Sequence, residues 1–173
     1  MFKKMNFKAI VLSSVMFVLC FAVNASATPI NTTATVVTSV TVAEVTPFNF
    51  GSFVPDTSIQ TVTFNAGGTI GATGGIVLLG GEVGGVASTS GPSAADTVQV
   101  FVTGGLLTSG GNNMTVAGNC MGPGGALGTN DGSCTFTSAG GTENVQIGGV
   151  LTVGANQPTG VYTGTIEVTA GFF

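Results

Sequence analysis

The chain has 173 residues, seven acidic side chains, only three basic ones, no histidine, and a mean hydropathy of +0.57. The three basic residues, Lys3, Lys4 and Lys8, all lie at the N-terminus. Without histidine no Ser-His or Cys-His nucleophile can form. Beyond Lys8 no side chain can neutralise phosphate, which excludes nucleic acid as a partner.

The lysines precede an apolar run, Ala9 to Val23, that closes on Ala25-Ser26-Ala27. Ala25 and Ala27 supply the small residues a signal peptidase reads, completing the three-part pattern of a secretory signal. The run is about 15 residues, short of the roughly 20 that a membrane-spanning helix needs. A lipoprotein signal would place small residues before its cysteine, whereas Phe17-Val18-Leu19 precede Cys20. The sequence therefore predicts a signal peptide over residues 1–27 and one exported domain over 28–173, with no membrane span after processing. Cleavage leaves seven carboxylates and no side-chain cation, a net charge of about −7. A β-prone surface with so few charges favours self-association.

All 29 glycines follow Ala27, about one residue in five, which is poor material for helices. Between them lie short stretches rich in Val, Thr, Phe and Ile that alternate with period two, the mark of half-buried strands. The most regular lies within residues 33–45. Ala34, Val36, Thr38, Val40 and Val42 face one way, Thr33, Thr35, Ser39, Thr41 and Ala43 the other, and Val37 is out of pattern. Pro47 and Gly51 end it. Further strands are predicted at Thr61–Phe64, Ile76–Leu79, Thr97–Val102, Met114–Val116, Cys134–Thr137, Val145–Val153 and Val161–Phe172. In the last of these, Tyr162, Ile166, Val168, Ala170 and Phe172 share a face. The Gly/Asn-rich region Gly104–Gly132 reads as a long hairpin or insertion. Cys120 and Cys134, an even pair once Cys20 is removed, would pin it with a disulfide worth about 3 kcal/mol. The expected fold is all-β, a single immunoglobulin-like or pilin-like β-sandwich.

Chemistry is scarce. Gly122–Gly128 lacks the lysine of a phosphate-binding loop and joins no helix. Asn130-Asp131-Gly132-Ser133 lacks the acids of a calcium loop and reads as a tight turn. The acids are scattered, and no tryptophan is present to stack a sugar. The sequence predicts no enzyme, no cofactor and no metal site.

Two blocks carry a resemblance. Phe48-Asn49-Phe50-Gly51-Ser52-Phe53 follows the first strand. Ile147-Gly148-Gly149-Val150-Leu151-Thr152-Val153 leads on to Gly160-Val161-Tyr162-Thr163-Gly164. Together they resemble the exported bacterial family known as domain of unknown function 4402, with its Asn-Phe-Gly, Gly-Gly-x-Leu-x-Val and Gly-x-Tyr-x-Gly blocks. That family is similar in layout to the pilin-type subunits of chaperone–usher fimbriae, and the closing strand from Gly160 to Phe172 extends the similarity. Phe173 after Phe172, and Gly164 within the strand, depart from the pilin pattern.

The resemblance implies a structural subunit of a bacterial surface fibre or cell-envelope layer, exported to the cell surface, a fimbrium or the medium. Its partners would be other copies of itself or a periplasmic chaperone and usher. Physically, an extended strand with alternating apolar residues can complete a sandwich that lacks one. Residues 33–45 suit that donor role, and equally suit the first strand of their own sandwich. The alternative function is a monomeric secreted or surface-bound binding or adhesion module. An outer-membrane barrel fits less well, because Glu167, Thr169 and Gly171 occupy alternate positions that would have to be apolar.

Overall fold

The computed structural model describes residues 39–91, 93–125 and 132–172. The predicted signal peptide with Ala25 and Ala27, the strand residues Ala34, Val36 and Thr38, and Asn130-Asp131 lie outside them. The described chain is an antiparallel β-sandwich of twelve strands and one 3-10 turn, Pro123–Gly125.

One layer is built around β11 (Thr142–Val153), the longest strand. One edge of β11 pairs with two strands laid end to end, β6 (Gly85–Ser90) beside its first half and β3 (Gln60–Phe64) beside its second. The other edge pairs with β9 (Asn112–Met121). Outside these lie β1 (Thr41–Thr46) on β6, β4 (Ile70–Ala72) on β3, and β8 (Gly105–Ser109) on β9. The second layer comes in two pieces. β7 (Thr97–Thr103) runs between β10 (Ser133–Thr137) and β12 (Glu167–Phe172). β2 (Ser52–Val54) and β5 (Val77–Gly80) form a short ribbon.

The split second layer divides the core. Val98, Val100 and Val102 of β7 meet Ala87, Val145 and Ile147 of the first layer in one cluster. Under the ribbon, Phe50, Val62, Phe64, Met114, Leu151 and Val153 form another. The alternation read in the sequence lies behind both, since inward residues i and i+2 of β7 and β11 are 0–4 % exposed. Each such valine or leucine contributes about 1.5–3 kcal/mol by burial.

The two glycines of the Gly-Gly-x-Leu-x-Val block sit where β11 changes partner from β6 to β3. A side chain on Gly148 would strike the Phe64 carbonyl and the Asn119 amide. With only hydrogen there, Asn119 Nδ2 reaches across β11 to donate to Phe64 O at 3.5 Å. Gly149 points inward, and a Cβ there would stand 2.8 Å from Ala117 O and 3.3 Å from the Phe48 ring.

Among the described residues strands are present at the predicted positions, the first from Thr41 only, with the following differences. The region Gly104–Gly132 holds the hairpin of its two readings and not an insertion: β8 and β9 form it over the Gly110-Gly111 turn, and β9 runs into the middle of the first layer. Its Met114, Val116 and Cys120 are core residues. The last predicted strand, Val161–Phe172, is regular only from Glu167. Before that the backbone at Gly164 presses on the Leu106 carbonyl, and the segment makes a single bridge, Thr163 to Thr108, with β8. Tyr162 therefore packs with the second cluster, away from Val168, Ala170 and Phe172. Finally, β2, β4, β6 and β8 are not visible in the pattern. In β6 the inward residues are Gly85, Ala87 and Thr89, too small or polar to read as an apolar face.

Candidate functional site: the open seam

The sandwich has two lateral seams. On one, β9 faces β10, and Cys120 joins Cys134 in a disulfide with a Cα–Cα distance of 5.8 Å. Both cysteines are 2 % exposed, so the covalent link between layers is buried in the first core cluster. On the other seam β1 faces β12. Among the described residues β1 pairs only with β6 and β12 only with β7, so each has one unpaired edge.

Between these edges lies a cleft of about 420 Å3, lined by Val42, Phe48, Ala87, Ile147, Ile166 and Val168 among others. One charged residue, Glu44, borders it, beside the irregularity between Glu44 and Thr46 in β1. A charge and a bulge on an edge strand are features that discourage indiscriminate edge pairing. The inward row of β12, Val168, Ala170 and Phe172, is only half-buried, whereas the neighbouring Val98 and Val100 of β7 are fully buried. The sandwich is thus less completely filled towards this seam.

The cleft floor is where the two sequence blocks meet. Phe48 packs against Phe50 with ring centroids 4.6 Å apart and against Phe64 at 5.6 Å. It lies over the bare backbones of Gly85 and Gly149; a Cβ on Gly85 would strike it, and one on Gly149 would crowd its ring. Asn49 holds the turn that follows: its backbone pairs with Val83, and its Oδ1 accepts the Gly51 N–H at 2.9 Å. Gly51 has φ +77°, and a Cβ would lie 2.7 Å from Glu82 N, so glycine is required.

A second cleft of about 390 Å3 adjoins the first, and Phe50 and Leu107 line both. Its walls are β2, through Ser52 and Phe53, and the return loop, through Gln157–Tyr162. Gln157 braces that loop. Its Oε1 accepts from Gly154 N at 3.1 Å, and its Nε2 donates to Asn113 O at 3.3 Å and Tyr162 OH at 3.0 Å. Tyr162 OH in turn donates to Pro158 O at 2.8 Å, the hydrogen-bond pattern of a tyrosine corner.

Of the predicted pairing residues, Val42, Ile166 and Val168 come together on the first cleft, and Gly160 and Tyr162 line the second. Ala170 and Phe172 continue the inward row of β12. Val40 is half-buried just ahead of β1. Sequence reasoning passed over Phe48, Phe50 and Leu107. Phe48 and Phe50 were discoverable as alternate aromatics inside the quoted block; Leu107 carried no signal.

One carboxylate is held in a hydrogen-bonded loop. Asp56 accepts from Gly75 N at 3.1 Å, Thr57 N at 2.6 Å and Ser58 Oγ at 3.1 Å. These bonds, led by that from Gly75, hold its carboxyl below the ordinary value of 3.8. Among the described residues no three His, Cys, Asp or Glu side chains gather as a metal site. No described helix is long and apolar enough to cross a membrane.

Fold and site define an antiparallel β-sandwich with a disulfide across one seam and, among the described residues, a cleft at the other. The chain belongs to the family described as a domain of unknown function, DUF4402, whose profile matches residues 40–172. No curated protein and no solved structure matches it significantly.

Proposed function

We propose that this protein is a non-enzymatic structural subunit of a bacterial surface fibre or cell-envelope layer, in which each copy adds a strand to the open seam of the next. The observation that carries the reading is the seam itself: β1 and β12, each with one edge unpaired among the described residues, flank a cleft lined mainly by apolar side chains and floored by both blocks. Backbone groups on the edges supply affinity for an added strand, and the alternating cleft supplies its register.

Within the predicted 33–45 strand, Thr41–Glu44 pair with β6 of the same chain, so the strand that fits is the segment ahead of β1. Residues 28–40 carry no charge, and Ala34, Val36, Thr38 and Val40 alternate with polar neighbours over most of their length. To lie beside its own β1 the segment would have to reverse direction, and Thr33–Thr46 contains no Gly, Pro, Asn or Asp to make a tight turn. Donation from copy to copy is head-to-tail and grows an open filament. A periplasmic chaperone covering the seam during export, and an usher at the outer membrane, fit the same geometry and the resemblance to pilin-type subunits.

The test is export of the full chain from a bacterial host, followed by negative-stain microscopy of the released protein. Filaments are expected. Deleting Thr28–Val40 while keeping residues 1–27 should give a folded, disulfide-bonded monomer. Dispersed particles from the full chain at high concentration would overturn the reading.

A further inference from the structure

The open seam is longer than β1. Residues 42–50 border the first cleft and 49–55 the second along one side. Residues 164–168 and 157–162 border the same two clefts along the other. The two clefts therefore lie end to end, of similar volume, about 420 and 390 Å3, with Phe50 and Leu107 standing between them. Phe50 is 7 % exposed and anchored in the second core cluster, against which Leu107 also packs, so this narrowing is part of the folded core.

Resting on the strand-donation reading, we propose that the Phe50–Leu107 narrowing sets the register of the donated strand, with Ala34 of the neighbouring copy at the narrowing. Inward side chains of an extended strand recur about every 6.8 Å. In this register each compartment takes two of them, and the narrowing takes the one between. In the donor, the inward set is Ile30, Thr32, Ala34, Val36 and Thr38, continuing to Val40. Ala34 is the smallest of these, with Ile30 and Thr32 before it and Val36, Thr38 and Val40 after it. The match holds whichever way the strand runs, because Ala34 is central to Ile30–Thr38. The occupant is thus a second copy of this chain, and the recognition element is a large-small-large pattern read by two compartments and a waist.

The test uses the full chain exported from a bacterial host, scored for filaments by microscopy and for polymer size by gel filtration. The chain as it stands should polymerise. Ala34→Phe should cut polymer yield about tenfold or more, because a ring cannot enter a packed waist. Thr35→Phe, facing outward, should polymerise as the unaltered chain does. Leu107→Ala should restore polymer to Ala34→Phe by opening the waist. Circular dichroism and a thiol count on each secreted monomer separate loss of assembly from loss of folding. If Thr35→Phe blocks assembly and Ala34→Phe does not, or if Leu107→Ala rescues nothing, the register is wrong while strand donation stands. If the unaltered chain forms no polymer, donation itself fails and the register falls with it.

Discussion

Removing the disulfide tests the idea of one closed and one open seam. Cys120 and Cys134 are 14 residues apart and join β9 in one layer to β10 in the other. Cross-linking a loop of about 15 residues lowers the entropy of the unfolded chain by an amount worth about 3 kcal/mol at 25 °C. Replacing both cysteines by alanine adds the loss of two buried sulfur atoms, about 1 kcal/mol more. At roughly 2.1 cal/mol/K of unfolding entropy per residue, a loss of about 3 kcal/mol lowers the Tm of a domain this size by about 10 °C. The assay is urea and thermal unfolding of the secreted monomer, oxidised against reduced, with the Cys120→Ala/Cys134→Ala double variant alongside.

The structure also says where the loss should appear. β10 is five residues long, pairs among the described residues with β7 alone, and loses its covalent tether. Hydrogen exchange should therefore quicken first in β10 and only later in β3 and β11, which sit in the other layer's ladder. A midpoint unchanged on reduction, or protection lost evenly across both layers, would refute the reasoning.

Gly149→Val should destabilise by about 3 kcal/mol, since the added atoms meet the Ala117 carbonyl and the Phe48 ring and the backbone cannot yield; denaturant midpoints measure it, and a neutral result would deny that Phe48 is seated on Gly149. Tyr162→Phe should cost about 1–2 kcal/mol by removing the hydroxyl that bridges Gln157 and Pro158. Limited proteolysis should then cut within 154–166, and unchanged resistance would mean the loop is held otherwise. Asp56 makes stability fall in acid. Its folded-state pKa lies below 3.8, so its contribution is complete above the unfolded value and is lost as pH falls through the folded one. Melting temperatures of Asp56→Asn should be less dependent on pH below about 4 than those of the parent, and parallel curves would assign the acid sensitivity elsewhere.

Much of the β class was legible in residue order alone. Alternation in Thr97–Val102 and Val145–Val153 placed β7 and β11 and their inward faces correctly, because a strand's two faces are a local property of the backbone. The pairing of Cys120 with Cys134 was legible by elimination. Four strands were not. β6 buries glycine, alanine and threonine, and β2, β4 and β8 are short segments whose strand character comes from their partners.

By itself the sequence determined composition-level facts: a signal-like N-terminus, no cation after Lys8, no histidine, and glycine too abundant for helix. These follow from side-chain chemistry and need no coordinates. Only the tertiary structure decided which edges meet. It brought Phe48 over Gly85 and Gly149, closed one seam through β9 and β10, and set β1 and β12 on either side of a cleft. Pairing between distant strands depends on complementary shape across the whole sheet, and period-two alternation names a strand's faces without naming its neighbours.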